Sequence, residues 1–233
     1  SYMGRVNYTF NDKYLLTVTG RYDGASQLAT DNKWAFFPSA ALGWRLSEES
    51  FIENLDVFSN LKLRVSYGEV GNNASISPYA TQSNIYQTVY DFDGSAANGY
   101  SIDALSNQGL VWERSKEVNF GLDFALKKIG ISGSIEIYKR NTEDLILNDN
   151  IPTSTGFASA VDNVGEIENS GVEITLNTVN VSKGDFKWSS DLTFTANKDK
   201  VVKLAGGVTE DKGNGRFVGE SVRAYYTYKF EGI

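Results

Sequence analysis

Residues 118–138 read VNFGLDFALKKIGISGSIEIY, a stretch typical of one long β-hairpin. In the first arm, Val118–Leu126, apolar residues alternate with polar or small ones, which is the period-two pattern of a strand with one apolar face. The second arm, Ile129–Tyr138, repeats the alternation after a turn at Lys127–Lys128. Each arm of about ten residues, tilted by about 45°, spans roughly 23 Å, close to the apolar band of an outer-membrane barrel. A long hairpin of a soluble β-sandwich alternates in the same way, so this stretch alone leaves both folds open.

The composition of the 233 residues excludes several classes of function. The net charge is −7 and the 22 basic residues are scattered along the sequence, so we expect no basic patch and no nucleic-acid partner. Cysteine and histidine are both absent, which removes thiolate and imidazole metal ligands and histidine-based acid–base catalysis. We therefore predict no metal and no cofactor. The most apolar run, Trp34–Trp44, contains Pro38 and is shorter than the roughly 20 residues of a membrane-spanning helix.

The period-two pattern continues along the chain and predicts an all-β fold of about nine long strands. Between the strands, residues 71–109 form a long excursion with a small hairpin near Ile85–Tyr90, and Asn141–Val164 forms a long loop. Ser47–Ile52 resembles one helical turn with a serine cap. The predicted strands are Tyr2–Phe10, Tyr14–Tyr22, Trp34–Leu46, Leu61–Val70, Val118–Leu126, Ile129–Tyr138, Val172–Leu176, Trp188–Ala196 and Phe217–Phe230.

The connections favour a barrel over a sandwich because short turns alternate with long loops. The turns at Asn11–Lys13, Lys127–Lys128 and Ser182–Asp185 are short, and most connections between them are long. Short turns at one end and long loops at the other are typical of an antiparallel up-and-down transmembrane β-barrel, and aromatic residues at strand ends fit a membrane interface. Bacterial barrels have even strand numbers, so an odd count predicts that the chain is part of a larger barrel.

Several stretches resemble the SusC/RagA type of TonB-dependent outer-membrane transporter of Bacteroidota. They span nearly the whole chain and occur in that family's order and at its usual spacings. The stretches are Phe36–Trp44 (FFPSAALGW), Leu63–Asn72 (LRVSYGEVGN), Trp112–Glu113 (WE), Asn119–Asp123 (NFGLD), Tyr138–Leu145 (YKRNTEDL) and Asn163–Glu173 (NVGEIENSGVE).

This resemblance implies that residues 1–233 are part of one wide, plugged receptor barrel in the bacterial outer membrane. Such a barrel imports oligosaccharide or peptide nutrients with energy from the TonB complex, is surrounded by outer-membrane lipid and is capped by a SusD-like surface lipoprotein. The sequence shows no plug domain, no TonB box and no final strand ending in an aromatic residue. We therefore expect the chain to supply barrel wall and loops, and to have no enzymatic activity.

Candidate site residues occur mainly in the long excursion. Tyrosine rings there can stack on sugars or grip a partner protein, which makes Tyr79, Tyr86, Tyr90 and Tyr100 candidate substrate- or partner-binding residues. The stretch Asp91–Ser95 resembles a calcium loop but lacks its later glutamate, so we interpret it as a solvated turn.

Two other functions remain open at this stage. One is a soluble β-sandwich adhesin or carbohydrate-binding module. The other is a β-sheet enzyme that uses a carboxylate pair, and such a pair would have to come from Glu143 with Asp144 or from Glu166 with Glu168. Nothing in the sequence makes these carboxylates face each other across a cleft, so we assign no catalytic residue.

Overall fold

The fold is a large antiparallel sheet, seen in a computed structural model that describes residues 1–102, 104–228 and 230–232. The strands are β1 (Tyr2–Phe10), β2 (Tyr14–Gly24), β3 (Trp34–Arg45), β4 (Phe58–Asn72), β5 (Ile85–Phe92), β6 (Ser95–Ile102), β7 (Glu113–Leu126), β8 (Ile131–Asn150), β9 (Ser159–Lys183), β10 (Phe186–Lys203), β11 (Glu210–Asp211) and β12 (Arg216–Phe217). A short helix, α1 (Ser50–Glu53), and 3-10 turns at Leu46–Glu48, Thr153–Thr155 and Ala205–Gly207 complete the described elements.

Eight strands form the main sheet in the order β1-β2-β3-β4-β7-β8-β9-β10, and every neighbouring pair is antiparallel. Strands next to each other in the sheet follow each other along the chain, except that β5 and β6 form a separate hairpin between β4 and β7. This is the up-and-down arrangement predicted from the alternating turns and loops. The fold class is confirmed.

The register places an apolar row beside a polar row across all eight strands. Because successive side chains of a strand point to opposite faces, the two rows define an outer, apolar face and an inner, polar face. The outer row is Tyr8, Leu16, Leu42, Val65, Phe120, Ile137, Val172 and Ala196. The adjacent inner row is Asn7, Thr17, Ala41, Ser66, Asn119, Tyr138, Gly171 and Asn197.

No second sheet covers the outer face in the described part of the chain, where the other sheets are the two-stranded pairs β5–β6 and β11–β12. Phe120 is 52% exposed, Leu42 59% and Phe194 58%. A continuous apolar surface of this width must contact another apolar phase. A sandwich would bury it between two sheets, so the β-sandwich alternative is wrong.

Aromatic residues gather at both ends of the outer face, as predicted. At the long-loop end, Trp34 stacks between Tyr22 and Tyr2 with ring centroids 5.1 and 6.0 Å away. At the short-turn end, Tyr14 stacks on Trp44 with centroids 6.1 Å apart. Amphipathic rings at two levels are typical of a protein that crosses both interfaces of a membrane.

The short-turn end is held together by carboxylates outside the sheet. Asn11 and Asp12 have φ values of 50° and 55°, which fits the tight turn predicted between β1 and β2. The predicted cap at Ser47 is wrong, because Ser47 lies in a 3-10 turn and Glu49 is the N-cap of α1. Glu49 instead accepts hydrogen bonds from Lys13, Tyr14 and Trp44, and the bond from Lys13 contributes most to lowering the pKa of its carboxyl.

The predicted loop Asn141–Val164 is wrong, because β8 and β9 continue pairing as far as Asn150 and Ser159. Residues that favour turns suggested a loop here. The hydrogen bonds and side-chain packing between β8 and β9 outweigh this weak local preference. The register shifts near Asp144, whose φ of 56° marks a bulge. With 25 residues at about 3.3 Å each, β9 is about 80 Å long and extends well beyond an apolar band of about 25 Å.

The predicted ninth strand, Phe217–Phe230, is also wrong beyond Phe217, and Lys229 within it lies outside the described residues. The segment meets the edge of β10 at Val201, whose N–H donates to a backbone carbonyl of the segment at 2.8 Å. The carboxylate of Asp199 then accepts the N–H of Val222 at 2.6 Å, and the chain turns away from the ladder. The odd strand number is therefore corrected to eight in the main sheet.

The excursion of residues 71–109 contains the predicted small hairpin, β5–β6. Its flanking segments pack with the loop between β2 and β3 into a buried cluster at the long-loop end of the sheet. That cluster is the loop core, formed by Ala25, Leu28, Ala35, Phe37, Ile76, Leu110, Trp112 and Ile146. No helix among the described residues has the length and apolar character needed to cross a membrane.

Candidate functional site

The inner face carries a network of paired charges at the centre of the sheet. Arg64 donates from Nε and Nη2 to the two carboxylate oxygens of Asp123, both at 2.8 Å, and from Nη2 to Glu136, also at 2.8 Å. Gly121 of β7 lies between Arg64 of β4 and Glu136 of β8 in the register. A Cβ at this position would come within 2.9 Å of the guanidinium carbon of Arg64. The three side chains are 27–33% exposed, so the network presents a charged, hydrated wall rather than a buried core.

A second ion pair continues the inner face toward the long-loop end. Arg140 donates from Nε to Glu117 at 2.7 Å. The pair lines an open groove of about 440 Å³ together with small polar residues of the neighbouring strands, among them Ser39, Ser66 and Ser115. Hydroxyls and paired charges give this surface both donors and acceptors for a polar solute.

The loop core is built around the carboxylate of Glu113, which is only 6% exposed. Glu113 accepts hydrogen bonds from Asn72 Nδ2 at 2.5 Å, Ser75 Oγ at 2.9 Å and the N–H of Ile146 at 3.1 Å. These three donors offset the cost of burying a charge. The carboxylate thereby joins the ends of β4 and β7 to β8, which gives the WE and GN motifs a structural role.

Asn163 makes a second junction of the same kind. Its side chain exchanges hydrogen bonds with the backbone of Val111, at 2.9 and 3.0 Å, and donates to the carbonyl of Asp144 at 2.7 Å. Three chain segments meet at this one amide. The sequence interpretation did not assign Glu113 or Asn163 a function, and their positions within family-like motifs were the available signal.

The four candidate tyrosines are exposed but do not form one cluster. Tyr86 and Tyr90 lie on one face of β5, whereas Tyr100 of β6 pairs with Gln87 and therefore lies on the opposite face. Tyr79 lies in the loop before the hairpin. Their exposed fractions are 60% for Tyr79, 49% for Tyr86, 53% for Tyr90 and 69% for Tyr100. The ring of Tyr90 covers Gly99 on the facing strand.

In each carboxylate pair considered for catalysis, one member forms an ion pair with lysine. Glu143 accepts from Lys116 at 2.6 Å, and Glu168 contacts both Lys139 and Lys200. Asp91–Ser95 forms the turn of the β5–β6 hairpin, with φ of 53° at Asp93, as the interpretation of a solvated turn predicted. Within residues 1–102, 104–228 and 230–232, no group of three or more acidic side chains is placed to hold a metal ion.

A second polar groove of about 490 Å³ opens at the long-loop end. The β8–β9 hairpin forms one side of it, and the segment between β11 and β12 forms another. Its lining includes the side-chain amides of Asn148, Asn150 and Asn214, together with Ser159 and Arg216. Amide groups both donate and accept hydrogen bonds, a property suited to sugar hydroxyls and peptide bonds alike.

The sequence matches the family model described as "TonB dependent receptor-like, beta-barrel" over residues 1–229. The chain belongs to the TonB-dependent receptor β-barrel family. It is 40% identical to TonB-dependent receptor P26 of Formosa agariphila, over 100% of this chain and 24% of the relative. It is 37% identical to TonB-dependent receptor SusC of Bacteroides thetaiotaomicron, over 91% of this chain and 21% of SusC.

Solved structures agree with these sequence matches. The RagAB peptide transporter superimposes with a TM-score of 0.83 at 28% identity, over 94% of this chain and 24% of that chain. The resemblance to SusC/RagA-type transporters is confirmed, and the chain is part of an outer-membrane β-barrel. It spans about a quarter of the length of the curated relatives that it matches.

Proposed function

We propose that the protein to which this chain belongs is a non-enzymatic importer of oligosaccharide or peptide nutrients, and that the chain supplies part of its barrel wall. The observation that carries this proposal is the contrast between the two faces of one sheet. The outer face is a continuous exposed apolar surface, and the inner face carries the paired charges of Arg64, Asp123 and Glu136. A sheet of this kind separates lipid from a polar passage.

The inner face suits transport more than chemistry. The carboxylates of Asp123, Glu136 and Glu117 are each paired with an arginine, so these three are engaged in ion pairs and are not set apart as a general acid and base. A wall of hydroxyls and paired charges can exchange hydrogen bonds with a passing solute without holding it tightly. Movement of the substrate through the receptor would then depend on a conformational change. The TonB complex would drive this change through segments of the receptor outside this chain.

The long-loop end is the proposed place of first contact. Tyr86 and Tyr90 project from one face of β5 and are about half exposed, a geometry in which rings stack on a sugar or pack against a partner protein. Tyr100 presents a second ring from the opposite face. We include a SusD-like surface lipoprotein as the proposed partner at this end, with Tyr79 and Tyr100 available to it.

Substrate binding by the full-length protein tests the proposal. Calorimetry with the purified receptor in detergent, against neutral oligosaccharides in one arm and short peptides in another, should show binding in one arm. A Tyr86→Ala/Tyr90→Ala variant should weaken binding of the substrate or of the lipoprotein by about tenfold, since one stacked ring contributes about 1–3 kcal/mol. Tyr225→Ala, at an exposed tyrosine outside the hairpin, is the matched control.

Each outcome is informative. Binding in neither arm, together with no growth defect of a deletion strain on either nutrient, would refute import of these substrates. Equal losses in the tyrosine variant and in the Tyr225 control would remove the hairpin from the proposed site. Turnover of a bound oligosaccharide by the purified receptor would contradict the non-enzymatic assignment.

A further inference from the structure

On β7–β10 the outer face changes from apolar to basic between one outward-facing row of residues and the next. Ile137 and Val172 are paired in the apolar row, and Lys139 follows two residues beyond Ile137 on β8. On β10, Lys198 follows Ala196, and Lys200 lies one outer position farther. We define the basic belt as Lys116, Lys139, Lys198 and Lys200, with Glu143 and Glu168 between them.

The tilt of the strands explains why the belt appears on one side of the sheet only. In the register row that contains Lys139 and Lys198, strands β1 and β2 carry Val6 and Val18. A membrane plane crosses the hydrogen-bonded rows obliquely because strands of a barrel tilt by about 35–45°. A tilt of this size would bring the lysines to the same interface as the stacked Tyr22 and its neighbours at the long-loop end of β2.

The belt is a basic surface in an acidic protein. It holds four lysines with Glu143 and Glu168, and Arg114, Glu69 and Glu166 border it on the same face, whereas the whole chain carries −7. Sequence analysis predicted no basic patch, and that prediction is wrong, because the register joins lysines that are far apart in sequence. Glu168 contacts Lys139 at 2.8 Å and Lys200 at 3.3 Å, while Lys198 has no acidic partner within 4 Å among the residues that the structure describes.

The lysines remain accessible despite their ion pairs. The side chain of Lys139 is 63% exposed and that of Lys200 is 41% exposed. A shared glutamate holds both ammonium groups near each other without enclosing them. An anion that approaches from the outer side can therefore contact several ammonium groups at once.

We propose that the basic belt binds the phosphate groups of a phosphorylated lipid in the outer leaflet. Two features of the surface point to this ligand. The lysines complement a phosphate in charge, and the apolar row directly below them, with Ile137 and Val172, continues as a surface for acyl chains. A ligand that matches both must be amphiphilic, so a free nucleic acid or a soluble anion does not fit.

The test uses full-length receptor in detergent, titrated with lipid A as the phosphorylated probe and with dephosphorylated lipid A as the uncharged one. Wild type should prefer lipid A, and Lys139→Gln/Lys198→Gln/Lys200→Gln should bind it about tenfold more weakly. Dephosphorylated lipid A should bind wild type as weakly as lipid A binds this variant. Rising salt should reduce only the phosphate-dependent part of binding.

Two controls make the result decisive. Lys127→Gln/Lys128→Gln removes lysines at the short-turn end and should leave lipid A binding unchanged. Lys139→Arg/Lys200→Arg keeps the charges and should retain binding, which separates charge from misfolding. Equal affinity of wild type and the triple glutamine variant would overturn the proposal, as would competition by inorganic phosphate at the same concentration as lipid A. Retained lipid binding with loss of a bound protein would assign the belt to a protein partner instead.

Discussion

Leu122 and Asn119 lie on the same strand, β7, and face opposite sides of the sheet. Leu122 is paired with Leu63 and Ile135, so its neighbours on the outer face are apolar. Asn119 is flanked by Ser66 and donates to the carboxylate of Glu136 at 3.4 Å. The backbone environment of the two residues is the same, and only the phase that each side chain meets differs. Tolerance to substitution should therefore follow the face and not the distance from a conventional core.

The largest expected effect comes from placing the same charge on each face. In the full-length receptor, Leu122→Arg should destabilise the protein folded in a bilayer by about 2–4 kcal/mol, because a guanidinium near the midplane must reach the interface. Asn119→Arg should be nearly neutral, since the new guanidinium meets water and lies close to Glu136. Refolding into vesicles with urea titration measures both. Equal destabilisation at the two positions would contradict the assignment of Leu122 to the lipid-facing side and Asn119 to the water-facing side.

Labelling of single cysteines sharpens the same comparison without relying on stability. The chain has no cysteine, so a thiol at either position is unique within it. A cysteine at position 122 should resist a water-soluble thiol reagent, and a fluorophore there should be quenched by a lipid-borne quencher. Position 119 should show the reverse. Quenching at 119 and not at 122 would reverse the assignment of outer and inner faces.

Sequence reasoning predicted the two faces because alternation is a local property of each strand. Every residue from Val118 to Leu126 could be assigned to a face from its parity alone. The same reasoning failed at Asn141–Val164, where Pro152 and Gly156 suggested a loop. In the structure those two residues fall at the tip between β8 and β9, and the strands extend to meet them. The pairing of β8 with β9 determines that these residues form strands. A local sequence pattern holds no information about such pairing.

The candidate site was predictable only in part for the same reason. The exposure of Tyr86 and Tyr100 agreed with their place in a polar excursion, but nothing in the sequence indicated that they lie on opposite faces of a hairpin. The buried role of Glu113 depends on Ile146, a residue 33 positions away. The basic belt depends on the register between four strands. Such juxtapositions follow from topology, which composition and periodicity do not specify.

The next prediction compares two carboxylates, one in the loop core and one on the inner face. Glu113→Ala should destabilise the long-loop end by about 1–3 kcal/mol, because Asn72, Ser75 and the N–H of Ile146 lose their buried acceptor. The loss should be local, so faster proteolysis and hydrogen exchange in residues 71–112 would report it.

The matched control for that prediction is Glu136→Ala. Glu136 accepts from the charged guanidinium of Arg64, whereas the donors to Glu113 are uncharged. Glu136 is about 30% exposed, and Arg64 keeps both bonds to Asp123 when Glu136 is removed. Its replacement should cost about 0–1 kcal/mol and leave the loops unchanged. A larger cost at 136 than at 113 would show that the inner-face network, and not the loop core, is the rigid part of this region.

The smallest expected effect is at the short-turn end, where Asp56 contacts Lys127 at 2.9 Å and Lys128 at 3.0 Å. Hydrogen bonds from Lys127 and then Lys128 lower the pKa of Asp56 from 3.8 to about 2. A depressed carboxyl pKa stabilises the folded state fully above the unfolded value, and this contribution disappears as the pH falls through the folded value. The difference in unfolding free energy between wild type and Asp56→Asn should therefore be constant from neutral pH down to about 5, and should shrink between about 4 and 2.

In a Lys127→Gln/Lys128→Gln background, Asp56→Asn should add almost nothing, because the partners that lower the pKa are gone. A difference that persists unchanged at about pH 2, or that survives removal of both lysines, would mean that Asp56 does not stabilise the turn through its charge.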